Sequence, residues 1–425
     1  MRWLLFLIWL AVVVLGTLRH EFWRDEVRAF TLARSAKSLP DLFALLKDEG
    51  HPALWYLLLY FGHAMTSSKL VLPIVSLAVA AAAVAILIFR SPLPLWLKAL
   101  FVFGRMPLWE GSVMARNYGI SILLLFIFAW LYHAPRRHPV WMGVVLLCLA
   151  NANIHSLLLA GVLMTFWLWD ELVCRRTPLA SRAALGLYLA TALLAAGIVA
   201  AVLTLWPSNQ IVSSDTTRYT VGNLVGALGS TLYDPAKQFG GIAPRLPGLI
   251  AVLINLILVG STLGLVRRPA LIAAAWAAML ALSVLFTLVY PGSYRHQGLF
   301  IVFLITLIWM SFPPPPGEEP GSFSMKRGGP SPAALPPSGT ARPAPPLPPS
   351  LASLAPSRSA TSQPGALRVH PTHPHPPRLC RALARYASAT RGEVVSGPLA
   401  RGSPEAGLPR CSNILAFTLV YRLCC

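Results

Sequence analysis

Apolar runs of about 16 to 23 residues, the length that matches a bilayer's hydrocarbon core, recur between residues 3 and 312. Inside a bilayer every backbone N–H and C=O has to be satisfied within the chain, so helices are the form such runs take. They lie at 3–18, 52–66, 70–89, 94–108, 118–133, 139–153, 157–173, 184–206, 247–266, 269–290 and 298–312. The expected fold is all-α, a polytopic transmembrane helical bundle of about 10 to 11 apolar helices. Composition excludes the alternatives. Only 12% of the 425 residues are charged, half of the roughly 25% that coats a soluble protein. A soluble enzyme is thereby excluded, as are collagen, coiled-coil and disulfide-scaffold folds.

The formal charge of +20 is spread in a way that disfavours nucleic acid as a partner. Lys and Arg number 23 against 11 acids in residues 1–312, and 12 against 4 beyond. No basic patch is interleaved with aromatics in the manner of a nucleic-acid surface. Short basic clusters instead separate apolar runs, where the positive-inside bias places them. Six cysteines show neither CxxC nor a Cys/His metal spacing. Arg2 precedes an apolar core, but Thr17-Leu18-Arg19-His20 is a poor cleavage site, so the first run reads as an uncleaved helix with its N-terminus in the cytoplasm.

Orientation follows from Arg136-Arg137-His138, Arg175-Arg176 with Arg182, and Arg267-Arg268, assigned to the cytoplasm. The loops at 19–51, 110–118, 153–156, 207–246 and 290–298 then share the opposite face. Three runs separate the first two of these loops, so one of them fails to cross. Arg90 and Lys98 mark the turn between the second and third as cytoplasmic, leaving the short run 52–66 as the partial span.

From Pro313 the character changes. Residues 313–425 hold 23 of the 38 prolines among Ala, Ser, Gly and Arg, a composition that cannot bury a core and is expected to be disordered. It reads as a dispensable tail or a frame-shift artefact, with Pro343 to Pro349 as its one recognition-like stretch.

The loop 19–51 concentrates the chemistry. Apolar residues at 22, 23, 27, 30 and 32 fall roughly on one helical face, as suits a helix on a membrane surface, and Trp23-Arg24-Asp25-Glu26 places two carboxylates at its start. His51-Pro52 opens the next apolar run. On the same face lie Ala115-Arg116-Asn117-Tyr118, Ile154-His155-Ser156 and Tyr294-Arg295-His296, with Glu110 nearby. A bland reading is available for each: acids paired with neighbouring arginines, arginines snorkelling into headgroups, a core histidine at 155.

The order of these motifs resembles the GT-C-fold glycosyltransferases, above all the dolichyl-phosphate-mannose mannosyltransferase-like and lipid A aminoarabinose transferase-like families. There an Asp-Glu pair after helix one is followed by Lys/His-Pro-Pro, then Glu-Ala-Arg-Met-Tyr, Thr-His-Tyr and Arg-Tyr. Two departures stand out: Met114 replaces the acid before Ala-Arg, and Ala53 the second proline. The resemblance covers residues 1–312. It implies a multi-pass enzyme of a bacterial inner or plasma membrane that moves a sugar from a polyprenyl-phosphate donor to a lipid, glycan or protein acceptor on the non-cytoplasmic face, with inversion. It implies Asp25 as the base, with Glu26 beside it, and His51, Glu110, Arg116, Tyr118, His155 and Arg295 as substrate-binding residues.

No Gly-rich phosphate loop is present, which disfavours a soluble nucleotide-sugar donor. A divalent metal stays open, since Asp25, Glu26, His51 and Glu110 could supply ligands, but no ligand spacing demands one. The rival readings are a secondary transporter and a non-enzymatic or inactive polytopic membrane protein.

Overall fold

A computed structural model of the chain describes residues 1–312 apart from 48, 133–138, 206–219, 236–247 and 290–291. The tail from Pro313 and the Arg136-Arg137-His138 cluster therefore lie outside the described residues. Those described are all-helical, without a strand. In chain order they form α1 (Arg2–Leu18), α2 (Arg24–Ser35), α3 (Leu39–Leu45), α4 (Leu54–Thr66), α5 (Val71–Arg90) and α6 (Leu95–Val102). After a wide π-helical segment, Met106–Val113, come α7 (Tyr118–Tyr132), α8 (Pro139–Ala150) and α9 (Ile154–Trp169), the last continued by a second π turn, Asp170–Cys174. The remainder are α10 (Arg182–Leu205), α11 (Val221–Tyr233), α12 (Gly248–Leu263), α13 (Pro269–Leu288) and α14 (Tyr294–Ser311).

Four of these are long and apolar enough to cross a membrane: Val71–Arg90, Ile154–Cys174, Arg182–Leu205 and Pro269–Leu288. A fifth span is available if the bent pair Met106–Val113 and Tyr118–Tyr132 is taken together. Most of the remaining apolar runs appear as shorter helices. The 13 residues of α4 rise about 20 Å, short of the roughly 30 Å hydrocarbon core, and a left-handed Ser67 ends it at φ 51°.

Aromatic side chains fill the interior where α7, α9 and α14 meet. Phe126 packs on Trp309 at 6.3 Å between ring centres and Phe128 meets Trp167 edge to face at 6.2 Å, all of them buried. Small residues bring α8 and α10 together, since a Cβ on Gly143 would lie 2.6 Å from the Ala190 backbone. Leu185, Leu203, Leu256 and Ile257 remain exposed on the outer faces of α10 and α12, an apolar exterior of the kind that contacts lipid.

Several expectations are refined. The run 94–108 is two elements, α6 and the start of the π segment, separated by a break after Val102. Lys98, read as a marker of a cytoplasmic turn, is itself buried and donates to the Ile88 and Ser91 carbonyls at 2.9 and 2.8 Å, capping α5. Residues 110–118, expected as a loop, are largely buried. Glu110, Gly111, Ser112 and Val113 are buried in the π segment, whose axis turns 120° into α7. The break frees carbonyl groups, and Ser76 of α5 satisfies one by donating to the Ser112 carbonyl at 2.9 Å. The long loop 207–246 also contains a helix, α11, which packs against α13.

The surface-helix expectation is met only in part. Helix α2 turns Ala29, Phe30 and Ala33 inward against α4, while Phe22, Trp23 and Val27 stay exposed. Its apolar residues are thus divided between a packed face and an open one. Ser38 caps α3, accepting from the Asp41 N–H at 3.3 Å, which returns the chain toward α4.

Candidate functional site

Glu26 organises the site from below. It is fully buried at the third position of α2 and accepts three hydrogen bonds. Its Oε2 takes the Trp23 N–H at 2.8 Å and lies 2.9 Å from His20 Nε2, while Oε1 takes the Ala115 N–H at 2.6 Å. The start of α2 is thereby fastened to the turn after the π segment. Asp25 points about 100° away around the helix, is 56% exposed, and meets Arg116 through Oδ2 and Nη2 at 3.1 Å. Two adjacent carboxylates thus occupy opposite environments.

Three further segments reach the same place. Arg28 Nε donates to Glu49 Oε1 at 2.6 Å, which draws the loop before α4 over α2. The Leu54 N–H donates to the Asn151 carbonyl at 3.2 Å, tying the start of α4 to the α8–α9 turn. There Asn153 and Ser156 both bond Ser121 of α7, at 2.8 and 2.7 Å. At the head of α14, the Tyr294 hydroxyl donates to Glu110 Oε1 at 2.5 Å and the Arg105 guanidinium lies 3.7 Å from the centre of the Tyr294 ring. This cluster fixes the residue before Arg295.

The result is a small cleft lined by Asp25, His51, Trp55, Tyr56, Arg116, Asn117, Tyr118, Arg295 and His296, together with Ala29 and Ala115. Its volume is about 90 Å³, room for a handful of waters and hence for a compact charged group. The Arg116 side chain is 9% exposed and paired with Asp25. Arg295 differs: its Nε is buried, and among the described residues its guanidinium has no hydrogen bond or ion pair. Protein packed around His51 pushes its imidazole below the ordinary value, and the Arg116 and Arg295 charges add to this against Glu49 and Asp25. The ring nevertheless keeps solvent contact at the cleft mouth. The cleft carries excess positive charge with one accessible carboxylate.

Of the residues singled out from sequence, Asp25, His51, Arg116, Tyr118 and Arg295 converge on this cleft, and Glu26, Glu110 and His155 do not line it. Glu26 and Glu110 lie behind it as buried acceptors. His155 sits beneath His296, the rings stacked 4.6 Å apart at 14°. The sequence analysis assigned no role to the lining side chains Trp55, Tyr56 and Asn117, nor to His296. The signal for it was present in Ser293-Tyr294-Arg295-His296, a helix-capping spacing in which the fourth residue turns back to the first. Among the described residues no three His, Cys, Asp or Glu side chains come together to hold a metal ion, and Asp25 is already engaged by Arg116.

The opposite end of α9 carries a second polar cluster. Asp170 accepts from the Tyr132 hydroxyl at 2.8 Å and pairs with Arg175 at 2.9 Å, and Arg175 also reaches Glu171 at 3.3 Å. The 21 residues from Ile154 to Cys174 separate the two polar ends by roughly 30 Å. The chain matches no protein-family model, no curated protein sequence and no solved structure.

Proposed function

We propose that the chain is an integral membrane glycosyltransferase of GT-C-like architecture, transferring a sugar from a polyprenyl-phosphate donor to an acceptor on the non-cytoplasmic face. The observation that carries this reading is the presence, in one cleft, of an accessible carboxylate and a half-buried guanidinium, that of Arg295, whose Nε is buried without a partner among the described residues. Asp25 takes the proton of the acceptor hydroxyl or amine as that atom attacks the anomeric carbon. The bond from that carbon to the phosphate oxygen breaks, and its electron pair leaves with the phosphate. Arg295, with Arg116 beside it, stabilises the charge that develops there. Glu26 acts by holding Asp25 and Ala115 in place. Attack and departure on opposite sides of the carbon give inversion.

About ten crossings suit the positive clusters: α4 stays on the outer side, α6 and the π segment cross together, and the tail begins in the cytoplasm. The N-terminus is cytoplasmic in this scheme, and the setting is a bacterial inner or plasma membrane. Incubating the purified protein with radiolabelled polyprenyl-phosphate sugars and membrane acceptors should transfer label to the acceptor fraction. Absence of transfer with every donor would remove the reading.

One observation favours a secondary transporter, the 120° break between the π segment and α7, since transporters build sites from broken helices. In that case a solute flux across proteoliposomes, abolished by Arg295→Gln, would replace transfer. The charges gather at helix ends, those of the cleft at one end and Asp170, Glu171 and Arg175 at the other, away from mid-membrane, which suits transfer better.

A further inference from the structure

We propose that the groove between α9 and α13 binds an anionic phospholipid, with one acyl chain in the groove and the phosphate at the arginines around Arg267. The proposal needs the membrane setting alone and stands apart from the transfer reaction.

Both walls belong to helices long and apolar enough to cross a membrane, so a groove on their outer side faces lipid. Leu158, Gly161 and Trp169 of α9 line it together with Ala270, Ala277 and Ala281 of α13, and Phe166 and Ala274, both buried, form its floor. Alanine on one wall and glycine on the other leave a volume of about 500 Å³. A Cβ on Gly161 would meet nothing within 4 Å. The Thr165 hydroxyl in this wall is already given to the Gly161 carbonyl at 2.9 Å, so a hydrocarbon chain leaves it satisfied.

Length selects the occupant. From Leu158 to Trp169 along α9, and from Ala281 to Ala270 along α13, the groove runs about 16 Å. That is half of the roughly 30 Å hydrocarbon core, the depth of one leaflet. Trp169 stands at the outer end, 55% exposed, where an indole marks the headgroup level. At the inner end, beyond Leu158 and Ala281, the rings of His155 and Phe286 meet at 5.8 Å between the same two helices. The groove and the Asp25 cleft share no lining residue.

Charge selects the headgroup. The acids at the Trp169 end are engaged: Asp170 by Tyr132 and Arg175, Glu171 by Thr177 and Arg175. Arg176 and Arg267 are exposed and without an ion pair among the described residues. Arg268, directly before α13, donates to the uncharged Met310 carbonyl at 3.3 Å. A basic rim beside an apolar groove between two spans fits a lipid phosphate, as arginines at a membrane surface do in general.

The test titrates the full chain in mild detergent with phosphatidylglycerol, with phosphatidylcholine of the same acyl chains and with a polyprenyl monophosphate, counting bound lipid by native mass spectrometry. Phosphatidylglycerol should bind about fivefold or more tighter than phosphatidylcholine, the increment of one arginine at a lipid surface. Arg267→Gln, at an exposed position, should remove about fivefold of the phosphatidylglycerol affinity and leave phosphatidylcholine unchanged. Gly161→Leu and Ala277→Leu each fill the groove from one wall and should lose both phospholipids, with unfolding midpoints in lipid-free detergent near wild type. Equal binding of the two phospholipids overturns the proposal, as does phosphatidylglycerol binding that survives both filling substitutions. Displacement of phosphatidylglycerol by the polyprenyl monophosphate, with both lost in Arg295→Gln, would give the groove to the donor's chain and overturn it. A lipid-free dimer that Gly161→Leu dissociates would make the groove an interface between copies, with the same consequence.

Discussion

Asp25 and Glu26 are adjacent in sequence and opposed in circumstance, and the difference decides what each substitution does. Asp25 is more than half exposed and its ion pairs, to Arg116 at 3.1 Å and to Arg24 at 3.9 Å, are of the kind worth about 1 kcal/mol or less each to stability. Asp25→Asn should therefore leave the unfolding midpoint nearly unchanged while lowering transfer about 10²-fold or more; wild-type turnover in that variant would remove the base assignment. Glu26→Ala has the reverse profile, because it strands the Ala115 and Trp23 N–H groups. Buried unsatisfied donors cost about 1 to 3 kcal/mol each, so thermal unfolding should shift down sharply, and activity with it. His51 supplies the pH dependence. Its folded-state value lies below the ordinary one because of burial, so the unfolded chain takes up its proton first as pH falls. The stability it contributes is whole above about pH 6.5 and is lost progressively below. Unfolding midpoints measured from pH 7.5 to 5 should fall more steeply for wild type than for His51→Gln.

At the level of elements, the π segment and the head of α7 carry Arg116 and Tyr118 into the cleft, and their geometry depends on two glycines. A Cβ on Gly119 would stand 2.5 Å from the Gly111 carbonyl oxygen, which is backbone and cannot swing aside. Gly119→Ala should destabilise the protein by about 1 to 3 kcal/mol and displace Arg116. Gly161, on the open side of α9, has nothing within 4 Å of an added Cβ, so Gly161→Ala should be neutral or slightly stabilising. Similar loss in both variants by thermal unfolding would contradict this account. The same elements show what a sequence can and cannot display. Uninterrupted apolar runs such as 70–89 and 184–206 announce helices because nothing else satisfies a dry backbone. The joining of Asp25, His51, Arg116 and Arg295 was readable only through motif order and a shared side. The burial of Glu110 in a helical segment was not legible because a wide turn in apolar sequence has no periodic mark: Met106-Pro107-Leu108-Trp109 reads equally well as helix end or loop. The division of α2 between two faces depends on α4 packing across it, a long-range contact that local spacing does not encode.

For the whole molecule, the reading requires that its two polar ends lie on opposite sides of a membrane. One end gathers the cleft; the other gathers Asp170, Glu171 and Arg175, followed in sequence by Arg176 and Arg182, with Arg267-Arg268 before α13. On the proposed reading the excess of arginine marks the second end as the cytoplasmic one and Asp25 as outside. Nature has provided half of the experiment, since Cys174 is exposed at the second end. With Cys148, Cys380, Cys411, Cys424 and Cys425 changed to serine, Cys174 should react with a membrane-impermeant thiol reagent only after permeabilisation. With Cys174 changed to serine as well, a single Arg24→Cys, on the exposed start of α2, should react in intact cells. Reaction of both positions from the same side would place cleft and arginines together, leaving an outward-facing transfer site without a membrane to separate it from the cytoplasmic end. Reaction with the sides exchanged would instead keep the architecture and turn the cleft toward the cytoplasm, where the donor would have to present its sugar.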